Sequence, residues 1–150
     1  MSNYFLEAFM DNPLLKAHFG FRKNIMNGLK EFDLTPGAPR IMYYLSFHEG
    51  CRQKDIARNC FVRSATLTSV LANMEKMHLI DRRRAKDDGR AYSIYPAKEA
   101  EDIYKAVLEQ YEKVTAIAFE GFTEEETEEL KSYLLRMDNN FKKAREAGEI

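Results

Sequence analysis

Cysteine is scarce in this 150-residue chain, with only Cys51 and Cys60. Two thiols cannot build the disulfide framework of a small secreted domain, so a reducing, cytoplasmic setting is expected. Four prolines and seven glycines exclude collagen-like, linker-rich and low-complexity chains. No apolar run approaches the ~20 residues that a membrane-spanning helix needs, so no membrane partner is expected. The stretch from Met1 to Asp11 mixes Glu7 and Asp11 with aromatics, without a basic segment ahead of an apolar one, and does not read as a secretory signal. The three histidines, His18, His48 and His78, are scattered. His48 and Cys51 form a His-x-x-Cys pair, but no further ligand cluster completes a zinc site. No phosphate-binding glycine loop, His-Glu-x-x-His pair or Ser-His-Asp arrangement occurs, so no enzyme, metal site or cofactor is expected.

What is present is enough for one packed domain: 45% hydrophobic and 31% charged residues. The net charge of −1 hides a division. Arg40 to Arg90 holds 11 basic and 6 acidic residues, and the rest of the chain holds 12 basic and 18 acidic. A basic middle between acidic ends suits a chain in which one part meets a polyanion.

Periodicity predicts a mainly helical chain. Tyr4 to Met10 suggests a short first helix. Pro13 fits the start of the next, whose apolar residues Leu14, Leu15, Phe19, Ile25, Met26 and Leu29 keep mostly helical spacing. Thr35 is the expected N-cap of a further helix with Pro36 at its first position, Ile41, Tyr44 and Leu45 inward, and an end near Gly50. Gln53 to Asn59 and Ser64 to Met77 are two more. Ile80 to Arg84 and Ala91 to Tyr95 read as strands of a hairpin turned at Asp88-Gly89. A long helix from Ala100 to Ala118 stops at Gly121. Thr123 with Glu126 then forms a capping box for a last helix carrying Leu130, Tyr133, Leu134, Met137 and Phe141. Three short helices and a two-stranded hairpin outline a winged helix-turn-helix over 35–96. The flanking helices, 1–34 and 97–150, have apolar stripes that a second copy of the chain would cover.

The helix from Ser64 turns Leu67, Val70, Leu71, Met74 and Met77 to one side. The opposite face carries Ala65, Thr68, Ser69, Ala72 and Lys76, flanked by Thr66 and Asn73. Small side chains let a helix enter a DNA major groove, where hydroxyls reach base edges and phosphates. Arg63 and Ser64 stand at the helix start, and Gln53 and Lys54 at the preceding helix start are placed for phosphates. In the hairpin, Arg82, Arg83, Arg84, Lys86 and Arg90 are crowded together, and an Arg-tipped β-loop suits the negative minor groove.

Gln53-Lys54-Asp55-Ile56-Ala57, Thr66-Leu67-Thr68, Met74-Glu75-Lys76, Leu79-Ile80, Arg82-Arg83 and Asp87-Asp88-Gly89-Arg90 together resemble the MarR (multiple antibiotic resistance regulator) family. Leu34-Thr35-Pro36 and the Thr123 to Glu126 segment extend the likeness over nearly the whole chain. The resemblance implies a homodimeric transcriptional regulator, a repressor, on a double-stranded DNA operator, relieved by a small phenolic or lipophilic effector or by cysteine oxidation. It departs at Phe61 and His78, where many relatives carry glycine, and at Tyr95-Pro96-Ala97-Lys98-Glu99 after the wing. These departures leave open a second reading, a winged-helix protein-interaction module that has lost DNA binding.

The aromatics Phe19, Phe21, Tyr43, Tyr44, Tyr104 and Tyr111 are candidates for an effector pocket, with Tyr43 or Tyr44 in its wall and Arg22 as anionic anchor. Cys60 falls on an apolar position and is expected to be a buried, inert thiol rather than a redox switch.

Overall fold

A computed structural model describes residues 12–84 and 91–150. Asn12 caps the first helix, α1 (Pro13–Gly28), its side chain accepting the Leu14 amide at 2.9 Å. Pro13 takes a first-turn position, where its missing amide hydrogen would have no partner in any case. The proposed Tyr4 to Met10 helix lies outside the described residues.

The next helix starts later than its sequence suggests. α2 runs Ala38–Leu45, after Gly37 rather than Thr35. Pro39 explains the shift. A helix beginning at Pro36 would need the residue 39 amide to donate to the Thr35 carbonyl, and proline has none to give. Instead Thr35 accepts from the Ala38 amide at 2.9 Å in a turn, and Pro39 falls in the first turn, where it is tolerated. α2 also ends earlier than Gly50, which has φ +75° and donates to the Ile94 carbonyl at 2.7 Å. A Cβ there would lie 2.9 Å from the Tyr95 hydroxyl, so glycine is needed both for conformation and for space.

β1 (Cys51–Arg52), α3 (Gln53–Asn59), α4 (Ser64–Lys76), β2 (Ile80–Arg84) and β3 (Tyr92–Pro96) follow. The expected hairpin is present as β2 paired with β3, and β1 adds a further strand on β3, giving a three-stranded antiparallel sheet in the order β1-β3-β2. A two-residue strand is too short to show alternation. A 3-10 turn (Lys98–Ala100) leads into α5 (Glu101–Ala118). The core gathers Ile41, Met42 and Leu45 of α2, Ile56 of α3, Leu67, Leu71 and Met74 of α4, and Ile80 and Ile94 of the sheet. Tyr104 and Val107 of α5 join it.

The chain divides into two units, 1–114 and 115–150. In the second, Gly121 (φ +84°) follows the end of α5. Thr123 then caps α6 (Glu124–Glu146) as a capping box: its hydroxyl accepts the Glu126 amide at 3.2 Å, and Glu126 Oε2 accepts the Thr123 amide at 2.9 Å. Glu124, Glu125 and Glu126 in the first turn, with Lys143 and Arg145 in the last, oppose the helix dipole favourably. No residue of α6 is buried. Among the described residues, no helix is long and apolar enough to cross a membrane.

Candidate nucleic-acid interface

α4 owes its place to one apolar edge. Leu67, Leu71 and Met74 are fully buried, at the i, i+4, i+7 spacing that holds one face of a helix against a core. The opposite face is solvent-exposed at Ser64, Ala65, Thr66, Thr68, Ser69, Ala72 and Lys76, with Asn73 half-buried at the flank. Arg63 is the N-cap residue and is exposed, but it makes no side-chain capping bond. The hydroxyls are held locally: Thr68 donates to the Ser64 carbonyl at 3.2 Å and Ser69 to the Thr66 carbonyl at 2.8 Å. Such back-bonding uses each hydroxyl proton and leaves the oxygens able to accept. Asn73 Nδ2 lies 3.4 Å from the Met77 sulfur.

Two predicted residues are joined directly. Gln53 Nε2 donates to Thr68 Oγ1 at 2.8 Å, tying the start of α3 to the middle of α4. Lys54 is exposed beside it. The wing is tied to α4 as well. Arg82 Nε lies 3.0 Å from Glu75 Oε2, with only a fifth of the Arg82 side chain exposed. Arg82 is thus engaged as a strut between β2 and α4. Arg83 lies over the Tyr95 ring at 4.4 Å and beside Asp81 at 3.5 Å, which fixes its direction along the sheet. Arg84 is exposed. Lys86 and Arg90, with the Asp88-Gly89 turn, lie outside the described residues.

Phe61 and His78 bracket α4 and both adopt left-handed backbone, φ +52° and +56°. Those are the two positions at which the resemblance departs from glycine, and the left-handed turn is formed there with a bulkier residue at each. The α3-α4 turn keeps its bonds, with Cys60 and Val62 amides donating to Ile56 and Ala57 carbonyls at 2.8 and 3.1 Å.

Behind this surface, within the first unit, is a cavity of about 320 Å³. Phe21, Ile25 and Met26 of α1, Pro36 and Pro39 give it apolar walls. Arg22, Arg40 and His18 add polar groups, and Tyr111 and Phe61 complete the lining. Arg22 lines it as expected, but Tyr43 and Tyr44 do not. Tyr43 packs on Tyr111 at 4.5 Å and on Phe47 at 5.3 Å. Tyr44 stacks on His48 at 4.3 Å while its hydroxyl accepts from Asn59. Helical phase alone would allow both, three and four residues beyond Arg40; it is these ring contacts that take the two side chains out of the lining. Arg40, which sequence reasoning missed, is the second cation of the cavity. Its Nε is shielded from solvent without a hydrogen-bond partner. Burial pushes the Tyr111 phenol up, and the Arg40 and Arg22 cations pull against that shift.

Cys60 is buried and Cys51 half-buried. Burial pushes both thiols up to about 11, with the Asp55 carboxylate adding to the effect at Cys51. Both are therefore protonated and weakly nucleophilic near neutral pH. Among the described residues, no group of three or more His, Cys, Asp or Glu side chains is placed to hold a metal ion.

The MarR family model matches residues 32–91, from the residues before α2 to the start of β3. An uncharacterized HTH-type transcriptional regulator, YybA of Bacillus subtilis (strain 168), is 24% identical over 116 residues, 76% of each chain. The transcriptional regulator SlyA has the same fold, with TM-score 0.80, 21% identity, and 89% of this chain and 94% of that one covered. A MarR family transcriptional regulator from Listeria monocytogenes, solved with 26mer DNA, superposes with TM-score 0.72 at 22% identity over 82% of both chains. Over its winged-helix segment this chain matches the MarR family model, and the fold around that segment is shared with these solved transcriptional regulators.

Proposed function

We propose that the protein is a sequence-specific, double-stranded DNA-binding transcriptional regulator, a cytoplasmic homodimer that represses its target and releases it when a small phenolic or lipophilic effector binds. The observation that carries the reading is the outer face of α4: small, hydroxyl-bearing and exposed, and backed by fully buried Leu67, Leu71 and Met74. A solvated face with no partner is ordinarily rich in long charged side chains. This one carries only Lys76 and, at its margin, Glu75. Ala65, Thr66, Thr68, Ser69 and Asn73 would meet base edges in the major groove, and Arg63, Ser64, Lys54 and Gln53 the phosphates. Arg82 would hold β2 to α4, so that Arg84, Lys86 and Arg90 reach the adjoining minor groove in a set register. Residues 1–34 and 97–150 would supply the dimer contacts, and the cavity at Arg22 and Arg40 would take the effector.

Footprinting on the DNA upstream of the protein's own gene tests this. Two protected half-sites about one helical turn apart are expected, with affinity falling steeply as salt rises. Ser69→Glu would abolish protection by setting a carboxylate against the groove, and Arg90→Ala would weaken it. A chain that binds no duplex DNA at low salt would instead be the protein-interaction module.

A further inference from the structure

Thr68 is held from two sides. Its hydroxyl donates to the Ser64 carbonyl at 3.2 Å, and its oxygen accepts from Gln53 Nε2 at 2.8 Å. A hydroxyl has one proton and two lone pairs. The proton is used inside α4 and one lone pair is used by α3. What remains on this exposed side chain is a single lone pair, so Thr68 can accept one more bond and has none to give. Threonine in a helix divides between two χ1 states. The Gln53 bond favours the one that keeps the oxygen at Ser64. Gln53 is itself half-buried at the start of α3, a helix whose Ile56 is fully buried, so the hold comes from a fixed element. Ser69 offers the contrast. Its hydroxyl donates to the Thr66 carbonyl at 2.8 Å, and among the described residues no second element adds to that hold.

An oxygen fixed in this state discriminates between bases. In the major groove adenine N6 and cytosine N4 are donors, whereas guanine O6 and thymine O4 are acceptors. An acceptor oxygen bonds to an amino group. Against a keto oxygen it leaves two acceptors unpaired, which is costly once DNA has displaced the water between them. Thr68 lies one turn beyond Ser64, the first residue of α4, in the half of a recognition helix that meets base edges. We propose that Gln53 is a positioning residue that holds Thr68 as an acceptor, so that Thr68 selects an amino base, adenine or cytosine, at one position of each half-site. This role rests on α4 reading DNA, and Gln53 keeps its second amide hydrogen for a phosphate.

Selection from a randomised duplex pool with the full-length protein should return, on one strand of each half-site, a position held by adenine or cytosine. A duplex with purine in place of that adenine, or 2-pyrimidinone in place of that cytosine, lacks the amino group alone. Unsubstituted protein should bind it about tenfold more weakly, and Thr68→Val should bind both duplexes equally. Gln53→Met keeps the length of the side chain and removes the amide. It should weaken every duplex by a similar factor through the lost phosphate contact, and should also reduce a tenfold preference for amino over keto bases to about threefold. In the Thr68→Val background, Gln53→Met should change affinity without changing base preference. Neither side chain belongs to the buried core, so both substitutions leave the fold in place. Gln53→Met with its full amino preference would overturn the positioning role. Thr68→Val still losing affinity with the amino group would overturn the reading by Thr68. Selected duplexes without an amino-specific position would overturn both and leave the DNA-binding function standing. A pool from which no duplex is selected at low salt would remove the DNA reading itself, and this role with it.

Discussion

α4 and α6 are both amphipathic helices, yet they treat their apolar stripes differently. In α4 the stripe disappears into the core, with Leu67, Leu71 and Met74 at 0% exposure. In α6 the residues of the stripe, Tyr133, Leu134, Met137 and Phe141, remain between 38% and 51% exposed. The same periodicity thus has one solution inside the chain and one that the chain leaves unfinished. Burial is what decides the roles. A helix pinned along one edge presents a rigid outer face, which recognition of a groove requires. A helix with its apolar edge exposed is the surface that the proposed dimer would cover, at about 25 cal/mol for each Å² of apolar area removed from water.

The largest effect that would sharpen this contrast comes from the core. Leu71→Ala should lower unfolding free energy by about 2–5 kcal/mol, read by denaturant titration. The matching change in α6, Leu134→Glu with Phe141→Glu, should leave helical circular dichroism in place and halve the mass seen by sedimentation. If the doubly substituted chain sediments as the unsubstituted one does, α6 is not the dimer face. Smaller effects follow at the ends of α4. His78→Gly should stabilise by up to about 1 kcal/mol, because glycine accepts φ +56° without strain. The thiols set an alkaline limit within the core. Their pKa near 11 in the fold, against about 9 unfolded, means that the folded state keeps protons the unfolded state releases. Their contribution is thus complete below pH 9 and is lost as pH rises toward 11, visible as a falling melting temperature and as alkylation that stays slow near neutral pH. The smallest change expected is Glu75→Gln, which should cost under about 1 kcal/mol, since the carboxylate is half exposed. It should nevertheless loosen the wing, seen as faster amide exchange in residues 80–84.

Much of this was legible without coordinates. The bounds of α3 and β2, the start of α4, the first-turn Pro13 and the Thr123–Glu126 box all follow from local rules of spacing, capping and charge, which act over three or four residues. The outer face of α4 was legible for the same reason, because 100° per residue separates it from the apolar stripe. Errors arose where a competing local signal was overlooked or where a distant strand intervened. Thr35 lost its capping role to Pro39 and Gly37, and β1 exists only because β3 pairs with it.

The amino-acid order by itself determined that the chain is helical, that its middle is basic, and which side of α4 faces solvent, because each is set by neighbours one or two turns away. Only the tertiary structure decided that Arg82 braces the wing, that Arg40 rather than Tyr43 or Tyr44 joins Arg22 at the cavity, and that Phe61 stands strained and exposed beside it. Those depend on contacts between residues far apart in the chain, where direction and burial come from packing and no local pattern records them.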